Sequence, residues 1–269
     1  MIERLTVRTF KSLEDVTVDL GLVNVFIGAN GSGKSNLLEA LGVLSAAADG
    51  KVDDMALLAR GVRSGLPALY KSAFPAKPGR RIPPHLYFGA SGTRAGYEVS
   101  LHNPLKEPAP AWRFKTETWQ EDGTNLVARN PTQSTGINPE RGLAALRAVE
   151  RDTGAALDLL RLLQGYVIFT PATPVLRGVS PEPQPRQPVG LSGGNLPRAI
   201  LDLRRQRNHD RRSRRICRDA LGLVDWAEKF SSTSADRLPL SPTAAASKRV
   251  VRFHDRFMRK GRNVLSGYD

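Results

Sequence analysis

Val23-Asn24-Val25-Phe26-Ile27-Gly28-Ala29-Asn30-Gly31-Ser32-Gly33-Lys34-Ser35-Asn36-Leu37-Leu38 is the stretch on which the reading of the chain turns. Its centre, Gly28 to Ser35, fits G-x-x-x-x-G-K-[ST], a phosphate-binding loop. The spacing follows from chemistry. Glycines accept left-handed backbone angles and let the main chain approach an anion closely. The N–H groups of Gly28, Ala29, Asn30, Gly31, Ser32, Gly33, Lys34, Ser35 and Asn36 can then converge on phosphate oxygens at a helix start. Lys34 supplies a mobile positive charge for the β- and γ-oxygens and is the catalytic residue expected here. Ser35 supplies a hydroxyl ligand for Mg²⁺, a cation that prefers hard oxygens. Val23 to Ile27 is a β-branched run that reads as a buried strand. Residues 37, 38, 41 and 44 form an apolar helical stripe. Strand, loop, helix is the setting the motif requires.

Composition bounds the rest. The chain has 269 residues, 40% hydrophobic and 25% charged, which suits one large or two small globular domains. No apolar run reaches membrane-spanning length, and Met1-Ile2-Glu3-Arg4-Leu5 does not begin a secretory signal. Cys217 is the only cysteine, so no internal disulfide forms, which fits a cytoplasmic location. The histidines at 85, 102, 209 and 254 lack metal-ligand spacing. A net charge of +14 favours a polyanion such as nucleic acid as partner. The competing reading is an arginine-rich proteome, or acidic residues carried by a partner chain.

In chain order, residues 2–27 read as three strands, around Leu5-Val7-Thr9, Val16-Val18-Leu20 and 23–27, with Lys11 to Asp15 as the first turn. Residues 46–84 read as a loop or insertion with one helical patch, Asp53 to Arg60, and Pro75, Pro78, Pro83 and Pro84 as breakers. Residues 85–130 read as an antiparallel β-subdomain built on Leu86-Tyr87-Phe88, on Tyr97, Val99 and Leu101, and on Trp112, Phe114 and Thr116. Polar loop is expected from 120. Trp112 and Trp119 read as core rather than as base-stacking residues. Residues 131–230 read as a helical region: helix from 140 to 164, split near Thr153-Gly154, then a core strand 166–170, a Pro-rich excursion 178–190, and a helix from Leu196 to Leu203. The basic cluster 204–218 follows. In a helix, Arg204, Arg207, Arg211, Arg214, Arg215 and Arg218 would share much of one face, suited to nucleic-acid phosphates; the alternative is a solvated or acid-paired helix. Ile216, Leu221, Leu223, Val224 and Trp226 form an apolar docking face. Residues 231–269 read as a terminal loop and a strand at Val250-Val251-Arg252-Phe253.

Phe10-Lys11-Ser12, the antiparallel strand pair around it, Gly28 to Asn36 and Leu37-Leu38-Glu39-Ala40 together resemble the opening of AAA family ATPases of the RecF/SMC/OLD-like, ABC-type P-loop group. The resemblance is close over residues 1–45 and patchy from 85 onward. It implies an α/β fold: a P-loop NTPase with an ABC-ATPase-like mixed sheet, an antiparallel β-subdomain and a helical region. It implies ATP and Mg²⁺ as ligands and places Phe10-Lys11-Ser12 near the base and α-phosphate, although Phe10 as core and Lys11 as a solvated turn charge fit the residues too. In that group a glutamine reaches Mg²⁺; Gln164 is the nearest candidate but reads better as a helix-end residue. Leu191-Ser192-Gly193-Gly194-Asn195 resembles the L-S-G-G-Q signature. No apolar strand ending in Asp-Glu follows it, so it reads as a glycine-rich helix start.

Hydrolysis in such ATPases needs an Asp for Mg²⁺ and a Glu for the attacking water at the end of an apolar strand. No such sequence occurs in these 269 residues. Residues 265–269 look like the approach to a signature, so the core is expected to be incomplete and to resemble an N-terminal half. Three explanations stand open: a truncated or split chain, nucleotide binding without hydrolysis, or residues supplied by another subunit. The expected function is thus an ATP-binding chain whose partner is a second ATPase half or subunit supplying the missing residues, or a second copy in a homodimer. The alternative is a basic nucleic-acid-binding or regulatory subunit with a non-hydrolysing P-loop. No membrane contact is expected.

Overall fold

The computed structural model describes residues 1–72, 85–130, 136–206, 211–222, 227–230 and 240–242. The expected strand 250–253, the ending 265–269, Arg207, Trp226 and the four breaker prolines lie outside them. The chain forms two compact units, Met1–Thr170 and Pro171–Asp269.

The first unit is built on a six-stranded sheet in the order β2-β1-β3-β4-β5-β6. The strands are β1 (Arg4–Phe10), β2 (Leu13–Asp19), β3 (Leu86–Ser91), β4 (Ala95–His102), β5 (Arg113–Glu121) and β6 (Thr124–Arg129). Alternation sets their faces: Leu5 and Val7 point into the core while Arg4 and Arg8 point to water. On the outer face Arg4 pairs with Asp19 and Arg8 with Asp15, which charges the β2 edge against further pairing. The N-terminal hairpin and the 85–130 strands form one sheet, because β1 also pairs with β3, Val7 facing Phe88.

Three expectations are corrected. Residues 124–129 are strand rather than loop. Asp122 and Gly123 both take positive φ, the geometry of a two-residue hairpin turn, and an Asp-Gly pair between alternating residues signals it. Residues 23–27 form no strand; Leu22, Val23, Val25 and Ile27 are exposed, the least of them 77%. Residues 166–170 form none either: the Tyr166 hydroxyl donates to Leu38 O and the Ile168 N–H to Arg60 O instead. Both segments have strand composition, but a strand needs a hydrogen-bonded neighbour and no neighbour is present among the described residues. The sheet pairings are consequently all antiparallel, where a mixed sheet was expected.

Helix α1 (Lys34–Ala48) lies in the core, with every residue from Glu39 to Ala48 buried. Its Gly42 admits the turn at Val62, whose Cγ2 would lie 2.4 Å from an added Cβ. Short helices α2 (Asp54–Leu58) and α3 (Pro67–Tyr70) follow, and the Asp53 carboxylate caps α2 by accepting from Ala56 N at 2.8 Å. Buried Arg60 joins α2 to the end of α1, donating to Ser45 Oγ, Asp49 Oδ2 and Ala56 O. Helices α4 (Leu143–Ala148) and α5 (Ala155–Gln164) divide at Gly154, as the sequence suggests. Carboxylates start both: buried Glu117 accepts from Leu143 N and Ala144 N, and half-buried Glu121 from Ala155 N. Trp112 and Trp119 are core, and so is Phe10.

The second unit holds α6 (Thr173–Leu176), α7 (Leu196–Gln206), α8 (Arg211–Gly222) and the hairpin β7 (Ala227–Phe230)–β8 (Leu240–Pro242). No helix among the described residues is long and apolar enough to cross a membrane.

Candidate nucleotide-binding site

Gly31 and Gly33 take φ of +83° and +94°, so the loop uses its glycines where an L side chain would be strained. Gly33 is the N-cap of α1. No side chain caps this helix end and its first turn contains no acidic residue. The first-turn N–H groups of an α-helix have no intrahelical acceptor, and the macrodipole adds partial positive charge there. The loop therefore presents donors to solvent, and among the described residues no anionic side chain accepts from them. Lys34 Nζ folds back onto Gly28 O at 2.6 Å and Ala29 O at 2.7 Å, with Ser32 Oγ at 3.4 Å. These are weak acceptors compared with phosphate, so an incoming polyphosphate can take the ammonium from them.

Ser35 is exposed one residue further along. Among the described residues no group of three or more His, Cys, Asp or Glu could hold a metal ion by itself. The Ser35 hydroxyl is a hard oxygen that would suit an Mg²⁺ ion accompanying bound phosphates. Bound there, such an ion would supply positive charge against the phosphates.

The turn between β1 and β2 packs directly on this helix start. Ser12 Oγ accepts from Asn36 Nδ2 at 2.7 Å and would lie 2.9 Å from a Cβ on Gly33. Lys11 takes a left-handed φ of +49°, and its ammonium is ion-paired to Glu39 and covered by the Phe10 and Tyr70 rings. It is not the solvated turn charge that its sequence setting also allowed.

Glu39 was missed at the sequence level. It is 3% exposed and holds two cations, Lys11 and Arg63. Burial raises its pKa, but hydrogen bonds from Arg63 and Lys11 outweigh burial and hold the carboxyl below its usual 4.5. A carboxyl with a depressed folded pKa adds stability above its unfolded value and loses it as pH falls through the folded value. Glu39→Gln is expected to cost about 2 kcal/mol at pH 7, a figure discounted for the exposure of Arg63. Its melting temperature should fall less steeply than that of the wild type from about pH 5 to pH 3. Parallel acid slopes would contradict this account of Glu39.

The residues 191–195 show the contrast. The Glu182 carboxylate accepts from Ser192 N at 3.2 Å, Gly194 N at 2.7 Å and Gln184 N at 3.1 Å. Slight burial raises its pKa, and the backbone donors outweigh this and lower it. This glycine-rich start of α7 is filled by the chain's own anion, whereas the start of α1 is open. Gln164 donates to Ala48 O at the end of α1, the helix-end role read from its position.

Residues 1–68 match the AAA ATPase domain. The DNA replication and repair protein RecF of Rhodococcus erythropolis is 35% identical over 82 residues, 30% of this chain and 19% of that protein. The chain thus spans about a fifth of the length of this relative. Both matches support the resemblance to the N-terminal half of an AAA/RecF-like ATPase.

The structure brings Gly28 to Asn36 together at one helix start. The arginine cluster belongs to the second unit. Arg211, Arg214, Arg215 and Arg218 are exposed on α8, three and four residues apart and therefore on one face. Arg204 lies on α7 and Arg207 lies outside the described residues, so the face described on one helix holds four of the six expected arginines.

Proposed function

We propose that this chain binds ATP with Mg²⁺ at the Gly28–Asn36 loop and that hydrolysis requires residues from a second ATPase half or subunit, or from a second copy of this chain. The uncapped, acid-free start of α1 at a glycine-rich loop carries this reading. The AAA ATPase domain match over residues 1–68 supports ATP as the nucleotide. In the bound state the loop N–H groups hold phosphate oxygens, Lys34 leaves its carbonyl partners for the β/γ end, and Ser35 takes the metal. The chain offers no Asp-Glu pair to orient water. The exposed apolar residues of 22–27 support a partner that brings strands, since such a run in water is unfavourable until it is covered. Phosphate release from Mg-ATP by this chain alone should stay at the uncatalysed background. Sustained turnover by the isolated chain would overturn the requirement for a partner.

A second reading, the basic nucleic-acid-binding or regulatory subunit, rests on the arginine face of α8. Asp219 neutralises part of it through Arg215. The name of the RecF relative refers to DNA replication and repair, which makes DNA the polyanion to test. Replacing Arg211, Arg214 and Arg218 with alanine should lower the salt slope of duplex DNA binding by about one per arginine. An unchanged slope would remove this reading.

A further inference from the structure

Among the described residues, Arg63, 29 positions after Lys34, is a cation beside the loop that remains able to meet a ligand. Its Nε donates to Glu39 Oε1 at 2.5 Å, and its Nη2 donates to Glu39 Oε2 and to Asn36 Oδ1, each at 3.2 Å. Glu39 and Asn36 are three residues apart on α1, so they share a face. The guanidinium is thereby laid along the first turns of α1, pointing towards its open start. Asn36 in turn donates to Ser12, which touches the loop at Gly33. Nη1 has no partner among the described residues, and the side chain is 66% exposed. Lys11, by contrast, is 15% exposed and spent on Glu39. A buried carboxylate holding an exposed guanidinium in place costs desolvation, and a preorganised donor fork suits a phosphate.

We propose that Arg63 is a nucleotide-contacting residue, positioned by Glu39 and Asn36, that donates from Nη1 to the α-phosphate of the bound nucleotide. Lys34 and Ser35 are matched to the β/γ end and its metal. Arg63 reaches the helix one residue beyond Ser35, which leaves it the phosphate next to the nucleoside. This inference rests on the ATP reading above. Its consequence is selectivity by anion length: ATP engages Arg63, and pyrophosphate, filling only the β/γ positions, does not.

The test displaces a fluorescent ATP analogue from the full chain with ATP or with pyrophosphate, using wild type, Arg63→Ala, Arg63→Lys and Lys34→Ala. Arg63→Ala should weaken ATP by about 10-fold or more, the scale of a lost charge-assisted hydrogen bond. Pyrophosphate affinity should stay within about twofold of wild type. Arg63→Lys keeps a cation on Glu39 and should restore part of the ATP affinity without changing pyrophosphate. Wild-type ATP affinity in Arg63→Ala, or equal losses for both ligands, would overturn the assignment, the second because it signals damage to the helix start. Lys34→Ala should weaken both ligands. A wild-type chain that binds neither would overturn the nucleotide reading itself, a result distinct from an arginine variant that binds normally.

Discussion

Lys34→Ala is expected to lower Mg-ATP affinity by about 100-fold, since a lysine shared by two phosphates contributes roughly 3 kcal/mol of charge-assisted hydrogen bonding. Its melting temperature should remain within about 2 °C of the wild type. The separation follows from where Lys34 sits. Among the described residues its ammonium bonds to Gly28 O, Ala29 O and Ser32 Oγ in an exposed loop, and none of these is part of the sheet or the core. Losing those bonds leaves carbonyls that water can satisfy, so folding is barely affected. Losing the ammonium leaves a polyphosphate facing partial charges and backbone donors alone. Displacement titration with a fluorescent ATP analogue reads the first effect and differential scanning fluorimetry the second. Equal affinity in variant and wild type would mean that phosphates do not occupy this loop.

The largest loss of stability should come from Trp119→Ala. Trp119 is fully buried, faces Tyr97 on β4 and Val127 on β6, and donates from its indole nitrogen to Ala156 O at 3.0 Å. It joins three strands to the first turn of α5. Deleting a buried indole costs about 3–5 kcal/mol through lost transfer energy and the cavity left behind. That is a large part of the roughly 5–15 kcal/mol by which domains are stable, so the urea midpoint followed by far-ultraviolet circular dichroism should fall by more than a molar. Trp119 touches no residue of the loop, so ATP affinity per folded molecule should not change. A midpoint shift below a quarter of that expected would show that the β5–α5 contact does not hold the unit together.

Much of this architecture could be read before the structure. Leu5 and Val7 alternate with charges, and Leu37, Leu41 and Leu44 recur at helical spacing; both patterns are local and both elements form. Strand β6 was missed although Asp122-Gly123 marks its turn, because Thr124 and Asn125 face water at the sheet's edge and the buried Arg129 has the composition of a surface residue. Residues 23–27 and 166–170 failed for a different reason. β-branched composition reports how a segment behaves beside a neighbouring strand, and whether that neighbour exists is a non-local fact. The glycine-rich loop and the helix start at Lys34 were legible because both are contiguous in the sequence. Glu39 and Arg63 were not, since 24 positions separate residues that only the packing of α1 against the turn after α2 brings together. The filling of the second glycine-rich start by Glu182 was equally hidden, because a carboxylate ten residues away carries no spacing rule.

The central claim is that the open start of α1 is a nucleotide-phosphate site. Isothermal titration of the full chain with Mg-ATP tests it most directly. The account predicts saturable binding at one nucleotide per chain, lost in Lys34→Ala. Absence of saturable binding by a folded wild-type chain, or equal binding by the folded Lys34→Ala variant, would contradict it.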